Sequence, residues 1–536
     1  MQFSVSQRSY SGWIVPGLFL ALCSQNSFAA GFAIRGQSAS SIGTAGASDV
    51  AGTTDISAMF SNPAAMGVFK GTNISVGAAY IMPNGEFTEG RRTVGGSGIE
   101  AITDSDDAKK SDDFSEGAFL PALYGTYEVN EDLTAGASIT APFGTNTDYG
   151  KDWVGRYHGT KTELEMINLD LAASYRVMEN LRVGFGVQVQ HARGLIEGAS
   201  NYGAARAQGI ATAAAQEAAG LVSAYYTAAA AYQADPTNTT KGAAASSANA
   251  AVEANAVAKN FKTATDAAIA GQPAASVPTI ISNTLTAAGA QYVGGQAIAN
   301  EGQDDVYAQY EGSDIAYGFT FGVLYTVMPD LDLGLSYRSQ VVHKTEGDFK
   351  LSGETSAAQA YAETIGLKRT ADLNLPTPDI IGFGLNYKGI ADMNVYLSAS
   401  MTRWSKLRDI NVVPETGDNV LVKLDWEDVW HVGLGGDYKI NENVILRAGV
   451  ASDNSPTTDT LRSPRSPDDN RRFFSLGGRY QTEGWSVDAG FLHTRFRDPT
   501  LNLKDDAYPE AAGRGDLSGK YEVTANTFMA QYNHTI

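Results

Sequence analysis

The sequence predicts an all-β transmembrane barrel of fourteen antiparallel strands, with an N-terminal hatch in its lumen and a helical extracellular insertion. Three observations carry this expectation. Six alternating apolar runs each close on a tyrosine: Tyr127, Tyr175, Tyr325, Tyr387, Tyr438 and Tyr480. A tight turn follows each: Val129-Asn130-Glu131, Met178-Glu179-Asn180, Met328-Pro329-Asp330, Gly389-Ile390-Ala391, Asn441-Glu442-Asn443 and Thr482-Glu483-Gly484. Between these hairpins the chain makes long polar excursions. Short turns at one end, long loops at the other and an aromatic girdle at the boundary describe a bacterial outer-membrane barrel.

Six hairpins supply twelve strands. One more must rise before the first, near residues 72–80, and one must descend after the last, near 521–534, which makes fourteen. Closure matters because an open edge would leave backbone groups unpaired in lipid. The strand over 181–192 sets Leu181, Val183, Phe185, Val187 and Val189 on one face and Arg182, Gly184, Gly186, Gln188 and Gln190 on the other. The next hairpin sets Leu331, Leu333, Leu335 and Tyr337 against Asp332, Gly334, Ser336 and Arg338, and a later strand puts Arg447 opposite Val444, Leu446 and Ala448. Such a period of two suits an apolar outside and a polar lumen. A soluble β-sandwich alternates as well, but explains neither the girdle nor the loop asymmetry.

Residues 1–29 read as a cleaved signal peptide: Arg8, an apolar stretch from Trp13 to Leu22, and Ser27-Phe28-Ala29 as the cleavage site. The single cysteine, Cys23, falls inside it, and bulky Leu22 argues against a lipoprotein signal there. The mature chain would carry no thiol chemistry. Loss of Arg8 takes the formal charge from −20 to −21. That acidity argues against a nucleic-acid partner. Acidic loops at 104–113, 301–305 and 468–469 are expected to be solvated, with bridging to lipopolysaccharide through divalent cations as the alternative.

Two stretches are not wall. Residues 30–70 precede the first strand and contain Asn62-Pro63-Ala64; they are expected to form the hatch, a flexible tail being the alternative. The barrel then occupies 71–536. Residues 199–302 are dominated by alanine, the best helix former, and are inserted on the extracellular side. An excursion this long implies a cap or a disordered insert; its apolar positions either form a surface groove or pack the helices on the rim.

No Gly-x-Ser-x-Gly elbow occurs, and His158, His191, His343, His431, His493 and His534 are scattered without metal-ligand spacing. The expectation is no enzyme, no metal and no cofactor. Pro121 lies within a strand run and cannot donate to the ladder, so it marks either a break in the wall or a loop–strand boundary.

The ordered set of short motifs resembles the FadL family of outer-membrane transporters for long-chain fatty acids and other hydrophobic compounds. It comprises Ala30-Gly31-Phe32, Asn62-Pro63-Ala64, Ala141-Pro142-Phe143-Gly144, Met166-Ile167-Asn168-Leu169-Asp170-Leu171, Tyr337-Arg338-Ser339, Thr402-Arg403-Trp404-Ser405, Ser452-Asp453-Asn454-Ser455-Pro456 and Pro467-Asp468-Asp469-Asn470-Arg471. The alanine-rich insertion and the terminal Ile536 depart from the family pattern. The resemblance implies a fourteen-stranded barrel with a luminal hatch, and passive uptake in which substrate lands on extracellular helices, passes to a luminal site and leaves sideways through the wall after the hatch moves. It implies that the Phe32 ring lies at the luminal site and that Asn62, Pro63 and Ala64 brace the hatch; independently of it, a ladder broken at Pro121 is what a lateral opening would need. Arg193 is the expected partner of a carboxylate, and Trp404, on the lumen parity of the ninth strand, a wall for the acyl chain. Arg338 and Arg447 are further luminal candidates, or else pair with acids such as Asp170, Asp332 or Asp437. The expected partners are a long-chain fatty acid, outer-membrane lipid and lipopolysaccharide; the expected state is monomeric. An aromatic-hydrocarbon channel and an adhesive surface barrel are the alternatives.

Overall fold

Alternation becomes a wall in the computed structural model, which describes residues 31–93, 106, 109–300, 302–416, 419–504 and 514–536. The signal-peptide reading, Cys23 and parts of the acidic 104–113 and 301–305 stretches lie outside the described residues. Among the described residues nineteen strands form one antiparallel sheet. They are β1 (Thr72–Arg92), β2 (Ala118–Glu128), β3 (Leu133–Asp148), β4 (Lys161–Met178), β5 (Leu181–Ser200), β6 (Val306–Met328), β7 (Leu331–Arg338), β8 (Val342–Gly353), β9 (Lys368–Pro376), β10 (Ile380–Ile390), β11 (Met393–Thr402), β12 (Asp409–Pro414), β13 (Val420–Lys423), β14 (Val429–Lys439), β15 (Val444–Asp453), β16 (Arg471–Thr482), β17 (Trp485–Phe496), β18 (Thr500–Leu503) and β19 (Leu517–Thr535).

Fourteen of them close a ring, in the order β1 to β7, β10, β11, β14 to β17 and β19, and β19 pairs back onto β1 from Asn73↔Thr535 to Arg92↔Leu517. The remaining five extend the wall on the loop side. There β8 and β9 pair with each other, β8 leans on β6, and β12 joins β9 to β13. The wall breaks at Ser339–Val341, at Thr377-Pro378-Asp379, over 403–408 and over 424–428. Proline in the second break cannot donate to a ladder.

Side-chain parity sorts as the sequence requires. Phe185 and Val187 point out to the lipid, whereas Gln188 and Gln190 are buried inside; Leu333 and Leu335 oppose buried Asp332 and Ser336. All six girdle tyrosines are exposed on the outer face. No described helix is long and apolar enough to cross a membrane.

Residues 31–70 sit within the ring, as helix α1 (Ala39–Gly43) and two 3-10 turns, Ile56–Met59 and Pro63–Val68. Asn62 caps the second turn, its carboxamide oxygen accepting from Ala64 N at 3.0 Å. Its amide donates to Val50 O at 2.8 Å within the hatch and to Val323 O of β6 at 3.0 Å. The wall makes room by omitting side chains: a Cβ on Gly184 would lie 2.3 Å from Ala64 N, and one on Gly322 2.0 Å from the Asn62 carboxamide.

The alanine-rich insertion is a bundle of α2 (Tyr202–Ala234), α3 (Thr239–Ala254), α4 (Ala256–Ile269) and α5 (Val277–Ala299), and α6 (Ser356–Ile365) lies in the loop between β8 and β9. The bundle core is Val222, Val252, Phe261 and Leu285 among small alanines. Tyr202 stacks on Tyr361 of α6 at 3.9 Å, and Arg206 pairs with Asp304 at 2.6 Å, holding the foot of α2 to the rim.

Candidate functional site: a luminal aromatic pocket and a gap in the wall

The described part of the hatch opens on Gly31, whose positive φ of 62° suits glycine and where a Cβ would strike Trp426 at 2.6 Å and Trp404 at 2.9 Å. That turn places the Phe32 ring among aromatics. Its centroid lies 4.7 Å from Trp404, 5.9 Å from Phe143 and 5.9 Å from Trp426, in edge-on and tilted contacts. Leu164, Met166, Leu375, Leu407, Val422 and Val429 complete an apolar cluster around the rings. Phe32 is only 4 % exposed, so its own ring fills the pocket.

Two elements hold this segment. On the loop side Gly31 N donates to Asp468 at 3.1 Å, and Ser466 donates to Gly31 O at 3.2 Å. Burial raises the Asp468 carboxyl above its usual range, although Arg471 beside it opposes that. On the wall side Ile34 N donates to Pro142 O and Gly144 N to Phe32 O, both at 2.8 Å, so Ala33 pairs with Phe143 as a single bridge.

The bridge exists because β3 has left β2. The β2–β3 ladder runs from Glu128↔Thr134 to Leu123↔Ile139 and stops. Beyond it β2 keeps only β1, where Pro121 faces Ala78, while β3 continues with β4 past an irregularity between Thr140 and Phe143. Residues 141–147 are buried on both parities, as a strand bent into the lumen must be. Gln37 of the hatch spans the gap. It exchanges hydrogen bonds with Ala141 O at 3.1 Å and Ala141 N at 3.2 Å, and its carbonyl accepts from Tyr124 of β2 at 2.7 Å. One short hatch segment therefore fills the aromatic pocket with Phe32 and closes the wall with Gln37.

Of the cations selected from the sequence, Arg338 and Arg447 are luminal and paired with acids, the alternative given for them, whereas Arg193 is not luminal. Arg193 shares the parity of Phe185 and Val187, faces outward, and pairs with Glu311 at 2.7 Å near the rim; it does not reach the lumen. Arg338 is luminal, but pairs with Asp170 at 3.3 Å, donates to Phe60 O at 2.7 Å and lies 4.2 Å over the Phe60 ring. Arg447 is buried in a pair with Asp488, which Arg479 shares at 2.8 Å while reaching Asp55 of the hatch at 3.0 Å. Both arginines are already neutralised. Trp404 lies in the pocket but not on the ninth strand. That strand ends at Thr402, where Arg403 binds Asp379 through backbone and side chain, and Trp404 opens a 3-10 turn. Its indole Nε1 is buried with no acceptor among the described residues. The acidic loop residues expected to be solvated are partly internal: Asp305 pairs with Arg156 at 2.8 Å, and Asp468 with Arg471.

Sequence reasoning missed Trp426, Gln37 and Arg35. Trp426 lies in the break over 424–428. Arg35 reaches Asp453 at 3.2 Å across the hatch–wall boundary. Above the rim, α2, α4 and α5 enclose a groove of about 1,210 Å³ whose wall includes Tyr225, Tyr226, Ile281, Leu285 and Val293.

A closed barrel, a docked hatch and an apolar pocket beside an interrupted wall define an outer-membrane transport barrel of the class that carries hydrophobic compounds. The chain belongs to the outer membrane protein transport family OMPP1/FadL/TodX, which it matches over residues 20–263 and 270–536. The family consists of transport channels, and the chain is not an enzyme. It is similar to outer membrane protein P1 of Haemophilus influenzae (26 % identity over 474 residues, 87 % of this chain and 86 % of that one). It is also similar to the long-chain fatty acid transport protein of Escherichia coli K12 (24 % over 490 residues, 90 % and 92 %). Among solved structures, a FadL homologue of Pseudomonas aeruginosa shares the fold with a TM-score of 0.69 and 20 % identity, covering 94 % of this chain and all of that one. The Pseudomonas putida toluene transporter TodX does so at 0.58 and 15 %, covering 95 % and 100 %.

Proposed function

We propose that this protein takes up long-chain fatty acids or related hydrophobic compounds passively across the outer membrane. The observation that carries the proposal is the shared hatch segment. A substrate that enters the aromatic pocket must displace Phe32, and the backbone it displaces also carries Gln37, the residue that spans the gap between β2 and β3. Capture at the pocket is thereby coupled to a lateral exit into the membrane. Burial contributes about 0.8 kcal/mol per methylene, which draws an acyl chain in and would hold it there; opening the wall offers the chain an equally apolar destination. The groove between α2, α4 and α5 is the first landing surface. The working unit in this reading is the monomer, with lipid and lipopolysaccharide around it.

One observation favours a second reading. The residues of the aromatic cluster carry no charge, which suits an aromatic hydrocarbon as well as an acyl tail. Uptake of labelled oleate and labelled toluene by cells lacking their own transporter, with and without this protein, tests both. Faster entry of oleate supports the proposal; toluene alone moves the assignment to hydrocarbons; neither refutes transport by this barrel.

A further inference from the structure

A second cavity, of about 330 Å³, lies at the extracellular mouth between the loop over 454–470 and the upper wall. Its walls are apolar on one side, with Ile196, Tyr310, Phe349, Val412 and Val422, and cationic on the other, with Arg465 and Arg514. Arg465 differs from the neighbouring buried arginines. Arg156, Arg462 and Arg471 each pair with an aspartate. Arg465 is 5 % exposed and has no carboxylate within ion-pair distance among the described residues. Its guanidinium donates through Nη1 to Lys161 O and Thr162 Oγ1, both at 3.0 Å, and its Nε has no acceptor. The acid that bears on it most, Glu197, accepts from Thr160 at 2.9 Å instead. An uncompensated buried guanidinium is costly to keep. Burial and the neighbouring Arg514 pull it down only to about 9, so it remains a cation at neutral pH. His158 on the same wall is neutral there, pulled down to about 3 by burial and by Arg514.

We infer that this cavity is an entry site for an anionic amphiphile, with its carboxylate on Arg465 and its chain along Ile196, Phe349, Val412 and Val422. The volume lies in the range of small-molecule sites, and guanidinium geometry matches a carboxylate in two parallel hydrogen bonds. Val422 belongs both to this cavity and to the cluster around Phe32, Trp404 and Trp426. A tail seated here therefore points toward the luminal pocket, while the head stays at Arg465, a buried cation with no carboxylate in ion-pair distance among the described residues. This inference rests on the transport reading and narrows it to acids. It explains how a pocket without charge can serve a charged substrate, because selection occurs upstream.

The test compares equilibrium binding of oleate and oleyl alcohol to the full-length protein in nanodiscs, for wild type, Arg465→Gln and Arg465→Lys. The inference predicts that Arg465→Gln loses at least tenfold in oleate affinity with oleyl alcohol unchanged, and that Arg465→Lys restores most of the loss. An equal loss for both ligands, or none, overturns it. Binding of neither ligand by wild type would instead refute the transport reading beneath it. Should Arg465→Gln fail to assemble, Val412→Trp fills the cavity and leaves the arginine in place; unchanged oleate affinity there overturns the inference, and a tenfold loss supports it. A parallel arm adds lipopolysaccharide to the nanodiscs. If Arg465→Gln changes lipopolysaccharide retention and leaves oleate binding alone, the cation serves a lipid phosphate and the inference falls.

Discussion

Phe32→Ala separates a plug from a wall. The ring is 4 % exposed and touches Phe143, Trp404 and Trp426 at centroid distances of 4.7–5.9 Å. Deleting a buried phenylalanine ring from a core costs about 3–5 kcal/mol, part transfer and part cavity. In this pocket the vacated volume is the volume a substrate uses. The energy that packs the ring is therefore energy an incoming chain must first overcome, and its removal returns to the binding equilibrium. If half of the lower figure is recovered, binding tightens about tenfold, since 1.4 kcal/mol is a factor of ten. The same truncation uncouples the pocket from Gln37, so uptake should slow even as affinity rises. The assay is equilibrium binding of a labelled acyl chain in nanodiscs, alongside cellular uptake, with heat-modifiable gel mobility to confirm assembly. Weaker binding by an assembled Phe32→Ala barrel would refute the reasoning, because the ring would then line the bound state and not fill the empty one.

Three further outcomes follow from the same geometry. Arg193→Ala removes an exposed pair with Glu311 on the outer face, so stability should change by less than about 1 kcal/mol and oleate uptake should not change; a severe uptake defect would return Arg193 to the substrate path. Asp49, in the hatch, is raised from 3.8 to about 6, chiefly by burial, with Ser41 and Arg35 opposing and the His431 ring nearby. A raised carboxyl stabilises the packed state below about pH 4 and loses that contribution as pH rises through 6. Hatch amide protection factors, which correct for the intrinsic pH dependence of exchange, should therefore be lower at pH 7 than at pH 4, by an amount worth about 1–2 kcal/mol after allowance for partial exposure, and Asp49→Asn should abolish that difference in protection; an unchanged pH dependence of protection in that variant would refute it. Removing residues 208–298, with Tyr202, Arg206 and Asp304 retained, should leave the barrel assembled and lower uptake mainly at dilute substrate. Unchanged uptake at every concentration, with a lost surface adhesion, would make the bundle an adhesive cap.

Most of the wall was legible because lipid and lumen impose a strict period of two, and each tight turn follows an interfacial tyrosine. Hatch docking was also readable in part: glycines at lumen parity, such as Gly184 and Gly322, mark where another backbone comes close. Parity alone puts Arg193 on the outer face with Phe185 and Val187, against the expectation that it meets a carboxylate in the lumen. The rest depends on contacts that sequence order conceals. Trp426 sits in a five-residue break with no period to follow. Gln37 acts by bridging Tyr124 and Ala141, strands that come together only in the folded ring. Arg465 lies in a loop crowded with aspartates, and nothing local distinguishes it from Arg462 or Arg471, which take them.

If capture and exit are coupled as proposed, the hatch segment at Ala33 must leave β3 before substrate can pass. Ala33 and Phe143 form a non-hydrogen-bonded antiparallel pair, flanked by the bonds from Ile34 N and Gly144 N. Their Cα atoms should stand about 4.5 Å apart, within the range of a disulfide. The chain's single cysteine is Cys23, so Ala33→Cys with Phe143→Cys gives a clean lock if residues 1–29 are cleaved. Labelled-oleate uptake by cells carrying the double variant, oxidised and then reduced, is the direct measurement. The oxidised double variant should assemble but stay closed, and reduction should restore uptake. Equal, rapid uptake in both states would contradict the coupling.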